Sequence, residues 1–123
     1  MNAALLVALV VGQAQAGDAV NGRKIVENRA LSACVLCHSG PFPARYLQGN
    51  IGPPLDGVAD RLTPEEIRQR LIDPSRFNHD TVMPAYGTVA NLNRVGSAWQ
   101  GRPILTPGQI DDVVAFLSTL HAP

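Results

Sequence analysis

Five residues, Cys34-Val35-Leu36-Cys37-His38, carry the most specific chemistry in the chain. Cys-x-x-Cys-His is the spacing of a c-type haem attachment site. Two thiols three positions apart can each add to one vinyl group of the same haem. The histidine that follows is then held beneath the iron as its proximal ligand. Three other uses of the cysteines stay open. A thioredoxin-like couple needs a βαβ setting, and no strand–helix–strand pattern surrounds the motif. A structural zinc site takes four ligands in two spaced pairs, whereas Cys34 and Cys37 are the chain's two cysteines and its other histidines, His79 and His121, stand alone. A short-range disulfide would leave His38 incidental. Haem attachment is the reading that uses all three residues.

Iron that only passes electrons needs its sixth position filled. Met83, His79 and His121 are the downstream candidates. Met83 lies in Asp80-Thr81-Val82-Met83-Pro84-Ala85-Tyr86-Gly87, where Pro84 keeps the backbone extended and removes a donor. Such a loop can lay a thioether across the open haem face. Met83 is therefore the expected iron ligand opposite His38, and a Met/His pair raises the reduction potential. Its competing use is as a core gap-filler. His79, between Asn78 and Asp80, reads as an exposed loop histidine, and His121 as solvated. Pro53, in Gly52-Pro53-Pro54-Leu55, is placed to offer its carbonyl to His38 and fix the ring, as outer partners of metal ligands do; an ordinary rigid turn fits equally. Trp99, the sole tryptophan, is a candidate N–H donor to a haem propionate, or a core filler.

Few elements are needed to position these groups. Residues 18–33 read as a first helix, with Val20, Ile25, Val26, Ala30 and Leu31 on a loose stripe and Asp18 at the positive end of the dipole. It leads straight into the haem motif. Residues 39–54 are rich in glycine and proline and read as loop. Thr63-Pro64-Glu65-Glu66 combines a capping threonine, a proline at the first helical position and a capping-box glutamate. Ile67, Leu71 and Ile72 then share a face, with Arg68 and Arg70 outside, and Asp73-Pro74 ends the helix. Residues 75–102 have no clean period and read as a long functional loop. Thr106-Pro107-Gly108-Gln109 repeats the capping logic. Ile110, Val113, Val114, Leu117 and Leu120 follow as the clearest amphipathic stripe in the chain, expected to pack against the first helix.

The chain has 123 residues, enough for one domain. Residues 1–16 read as a signal peptide: a short apolar run, then Ala14-Gln15-Ala16 as a small-x-small cleavage site. The run is too short to span a membrane, and its amino-terminal part lacks the usual basic residues. Residues 17–123 are the expected domain. Export to the periplasm suits covalent haem attachment, which bacteria carry out beyond the cytoplasm. Ten basic and ten acidic residues balance, nine of the basic ones being arginine. No basic cluster of the kind nucleic acid demands is present. Some of the arginines are expected near the haem propionates. The expectation is a small all-α domain with long loops wrapped around one haem.

The order of helix, Cys-x-x-Cys-His, Gly-Pro-x-Leu loop, Met-Pro loop and amphipathic terminal helix resembles the class I cytochromes c. Asn50-Ile51-Gly52-Pro53-Pro54-Leu55, Arg61-Leu62-Thr63, Ile72-Asp73-Pro74-Ser75-Arg76 and Thr81-Val82-Met83-Pro84-Ala85-Tyr86 resemble, more narrowly, the SoxX family. These are the small monohaem subunits of SoxAX complexes, which couple thiosulfate oxidatively to a carrier-protein cysteine. The resemblance implies that Cys34 and Cys37 carry haem c and that His38 and Met83 ligate iron. It also implies a larger SoxA-like partner holding the catalytic centre, and transient delivery of electrons to a downstream c-type cytochrome.

The residues agree on one point of mechanism. Nucleophilic sulfur chemistry needs a free thiolate, and haem attachment uses both cysteines. A six-coordinate iron leaves no place for substrate. The chain is expected to move electrons only, with no catalytic residue of its own. A free-standing carrier is the competing function, but such carriers usually dock through a lysine ring, and Lys24 is the single lysine. A ligand sensor or peroxidase would need an open or labile sixth site.

Overall fold

The computed structural model describes residues 16–90 and 92–123. The expected leader, residues 1–16, lies outside the described residues except for Ala16. Helix α1 (Ala19–Glu27) begins where the Asp18 carboxylate accepts the backbone N–H groups of Val20 and Asn21 at 2.9 and 3.1 Å. It stops at Glu27, short of the expected residue 33. Asn28 is the cause. Its side-chain oxygen accepts from the N–H groups of Ala30 and Leu31, and its carbonyl gathers those of Leu31, Ser32 and Ala33. A short polar side chain that bonds its own downstream backbone favours a turn over a helix. Buried Ser32 then donates its hydroxyl to the Ile25 carbonyl at 2.5 Å, beside the Asn28 N–H that the same carbonyl accepts at 3.1 Å. Ala33 takes a left-handed φ of 55° and opens α2 (Cys34–Cys37).

The proline-rich stretch after the motif is loop as expected, broken by one 3₁₀ turn at Arg45–Leu47. A one-turn helix, α3 (Val58–Arg61), has no counterpart in the sequence pattern. Helix α4 (Pro64–Ile72) starts on the expected capping box: Glu66 accepts from the Thr63 N–H at 2.7 Å and the Thr63 hydroxyl accepts from the Glu66 N–H at 3.2 Å. It ends before Pro74. The long loop that follows holds 3₁₀ turns at Pro74–Arg76 and Ser97–Trp99. Helix α5 (Pro107–Leu117) starts on the matching Thr106/Gln109 box.

Helices α1 and α5 cross at Gly22. A Cβ there would lie 1.9 Å from the Asp112 carbonyl oxygen, so the absence of a side chain sets how closely the helices approach. Asp112 fastens the crossing, its carboxylate accepting from the Asp18 N–H and the Asn21 amide, both at 2.7 Å. Ile110, Val113, Val114 and Leu117 are buried on the face the stripe predicts. Phe116 is buried beside them and meets Phe42 with ring centroids 6.3 Å apart. Arg68 does not stand free outside α4: it is bonded to Asp111 and joins α4 to α5. Among the described residues the architecture is all-α, with no strand.

Candidate haem site

The helices leave a cavity of about 400 Å³. Val26 of α1, Val58 of α3, Ile67 and Leu71 of α4, and Leu117 of α5 give it apolar walls. Cys34, His38, Pro53 and Met83 all line it. Four of the residues singled out from the sequence are thus brought to one space, although they come from three separate segments. Cys34 and Cys37 stand at the two ends of α2, and a separation of three places both on one helical face. Buried Val35 anchors that turn in the core. Burial pushes the Cys34 thiol above its ordinary range.

His38 is held from behind. Its Nδ1 lies 2.7 Å from the Pro53 carbonyl oxygen, which can only accept, so Nδ1 carries the proton. The ring nitrogen left to bind a metal is Nε2. Gly52 presses on the same ring: a Cβ built there would come within 2.3 Å of the His38 Cε1. Its N–H bonds the Cys37 carbonyl at 2.8 Å. The sequence shows a Gly-Pro turn but gives no sign that this glycine touches the histidine.

Met83 is partly buried, with its N–H bonded to the Thr81 hydroxyl at 3.1 Å. The loop that carries it is fixed by Tyr86. That buried side chain donates its hydroxyl to the Ser32 carbonyl at 2.5 Å, and its N–H reaches the Leu71 carbonyl at 2.9 Å. Burial raises the Tyr86 phenol well above its usual range, so it stays a donor. The other candidate ligands are elsewhere. His79 is 98 % exposed beside Asp80, and His121 bonds the Asp60 carboxylate at 2.6 Å on the outside of α3. Trp99 is not brought to the cavity either. It is 44 % exposed, and the Arg102 guanidinium stacks 5.4 Å from its ring centre.

Two arginines line the cavity. Arg61 is committed to the carbonyls of Asp56 and Pro54 at 2.8 and 2.6 Å. Arg70 is not on the outer face that the helical pattern gives it. Its guanidinium lies 4.2 Å over the Phe77 ring, and its buried Nε has no hydrogen-bond partner. An arginine that lines an apolar cavity and rests on an aromatic face suits an anionic oxygen of a ligand. Thiols, an imidazole with its metal-facing nitrogen free, a thioether and a guanidinium together fit a propionate-bearing haem.

Comparison with known proteins agrees with this geometry. The family model described as cytochrome c matches residues 19–121. Among solved structures the chain is similar to SoxXA from P. pantotrophus, with 36 % identity, a TM-score of 0.79, and coverage of 88 % of this chain and 85 % of that one. No curated protein matches it. The all-α architecture is thereby the class I cytochrome c fold, and the SoxX resemblance read from the sequence meets a structure of the same kind.

Proposed function

The chain belongs to the cytochrome c family, an electron-transfer family with covalently bound haem c, and from that premise we propose that it is the haem subunit of a periplasmic thiosulfate-oxidising complex. The observation that carries the site is His38, fixed by the Pro53 carbonyl in a cavity it shares with Met83. The likeness to SoxXA supports the finer role.

In this reading Cys34 and Cys37 hold one haem through thioethers. Nε2 of His38 and the sulfur of Met83 would hold its iron, and Arg70 would receive a propionate. When bound, the haem supplies a one-electron couple. The protein's part is positional. Pro53 and Gly52 set the plane of the imidazole, and Tyr86 sets the height of the Met83 loop. The apolar walls would keep water from the bound haem and so favour its less charged, reduced state. With both thiols consumed, the chain has no thiolate for sulfur chemistry, so the electrons come from a larger SoxA-like cytochrome and leave to a downstream c-type cytochrome. The leader expected at residues 1–16 supports export. Among the described residues no helix is long and apolar enough to cross a membrane.

The test is purification of the native protein from the periplasm under mild conditions. A second cytochrome in fixed ratio, with thiosulfate-dependent haem reduction, is the expected result. A lone monohaem protein with a methionine-type optical band would make it a free-standing carrier and overturn the sulfur assignment.

A further inference from the structure

The loop that follows the haem motif is firmly built, yet it carries large apolar side chains into solvent. Gln48 folds it, accepting from the Gly40 N–H at 2.8 Å and donating to the Phe42 carbonyl at 3.0 Å. Arg29 donates to the Leu47 carbonyl at 2.8 Å, and the Gly49 N–H reaches the Val35 carbonyl at 3.0 Å. A Cβ at Gly49 would stand 1.9 Å from the Leu36 carbonyl oxygen, so loop and haem turn are pressed together. On this scaffold Tyr46 is 87 % exposed, Ile51 70 %, Leu47 51 % and Leu36 46 %. Of the ten large apolar side chains exposed among the described residues, four therefore fall between positions 36 and 51. Single exposed apolar residues need no explanation, but four on one ordered stretch of chain, from α2 into the loop after it, point to an interaction site.

Its charge is one-sided. Residues 28–55 contain Arg29 and Arg45 and no carboxylate. Glu27, just before them, is already paired with Arg23 at 3.0 Å. Exposed tyrosine and arginine without lysine or acid is the composition of an interface core, and it complements an acidic rim. The position suits electron transfer. Leu36 lies between the two haem-motif cysteines, and Ile51 adjoins Gly52, which touches the His38 ring.

We propose that Leu36, Tyr46, Leu47 and Ile51 form the docking face for the larger cytochrome subunit, whose matching surface is apolar and rimmed by carboxylates. This rests on the reading of the chain as one subunit of a haem complex. The experiment reconstitutes the complex from this chain and the second cytochrome of the native preparation, identified by mass and haem stain. The Tyr46→Ser/Ile51→Asp double variant is expected to bind at least about tenfold more weakly, with haem content and optical spectrum unchanged. Val20→Asp, on the 69 % exposed residue of α1, is expected to bind as the natural chain does. A double variant that binds normally overturns the docking face and leaves the subunit reading standing. A natural chain that purifies as a folded haem protein with no second cytochrome overturns both. Should the double variant lose haem, Tyr46→Ser alone gives the same readout at the most exposed of the four positions.

Discussion

On the His38 side of the cavity, the hydrogen bonds that hold the imidazole run within one stretch of chain. His38 N–H bonds Cys34, Gly49 bonds Val35, Gly52 bonds Cys37 and Leu55 bonds Ser39, all at 2.8–3.0 Å between N–H and carbonyl. Pro53 then fixes the ring. On the Met83 side the bonds near the thioether are local, from Thr81 N–H to the Asn78 carbonyl and from Met83 N–H to the Thr81 hydroxyl. Val82, beside the methionine, is 80 % exposed. Long-range anchorage begins at Tyr86 and Gly87, which bond the carbonyls of Leu71 and Ile72 at the end of α4. His38 is held by its own loop. Met83 is held by a neighbour, through a helix and a turn far away in sequence. Regions with few long-range bonds and exposed side chains open first, so the Met83 side is the one expected to loosen while the His38 side persists.

The largest expected effect attacks the tight side. In Gly52→Ala the new Cβ falls 2.3 Å from the His38 Cε1 and 2.6 Å from its Nδ1. Ring and loop cannot both stay. Overpacking of this kind costs up to about 3 kcal/mol, and the yield of haem-loaded protein should fall severalfold. Haem stain and thermal unfolding check it. Full loading with an unchanged Tm would mean that the His38 side is no tighter than the other.

Tyr86→Phe attacks the loose side. It leaves the buried Ser32 carbonyl without the hydroxyl bonded to it at 2.5 Å, a loss of about 1–3 kcal/mol. The expected signature is selective: a methionine-type band lost at lower denaturant than the main unfolding transition, with haem still attached. Coincident loss of both would show that Tyr86 does not act on Met83 in particular, and the contrast between the two sides would fail.

The same contrast explains what the sequence made legible. Local chemistry could be read directly: the haem motif, the Pro53 turn, and the Thr-Pro starts of α4 and α5, whose caps depend on residues three positions apart. Features set by distant neighbours could not. Asn28 ended α1 early because its side chain had backbone to bond, against a weak apolar stripe. Arg70 sat outside by helical pattern, since periodicity describes a helix face but not a cavity opening beside it. Gly52 against His38 and Tyr86 against Ser32 are contacts made only in the folded chain. Trp99 has only its residue type to suggest a propionate contact, and the fold leaves it at the surface.

The smallest expected effect tests whether α4 carries the Met83 side. Glu66 completes the α4 cap by accepting the Thr63 N–H at 2.7 Å. That backbone bond, helped by the Thr63 side chain, holds its carboxyl below the ordinary range. The ordinary value is about 4.3. A carboxyl lowered by folding stabilises the folded state above its unfolded value, and the contribution is lost as pH falls through the lower, folded value. Comparing the natural chain with Glu66→Ala should therefore show a small Tm difference at pH 6 that closes in stronger acid. Leu71 and Ile72, which accept from Tyr86 and Gly87, belong to the same helix. The methionine-type band of Glu66→Ala should accordingly be lost at lower denaturant than in the natural chain at pH 6, and at the same denaturant in acid. A difference that does not change with pH would assign the effect to helix propensity rather than to the cap. A cap effect on Tm with no effect on the band would show that α4 does not govern how firmly Met83 is held.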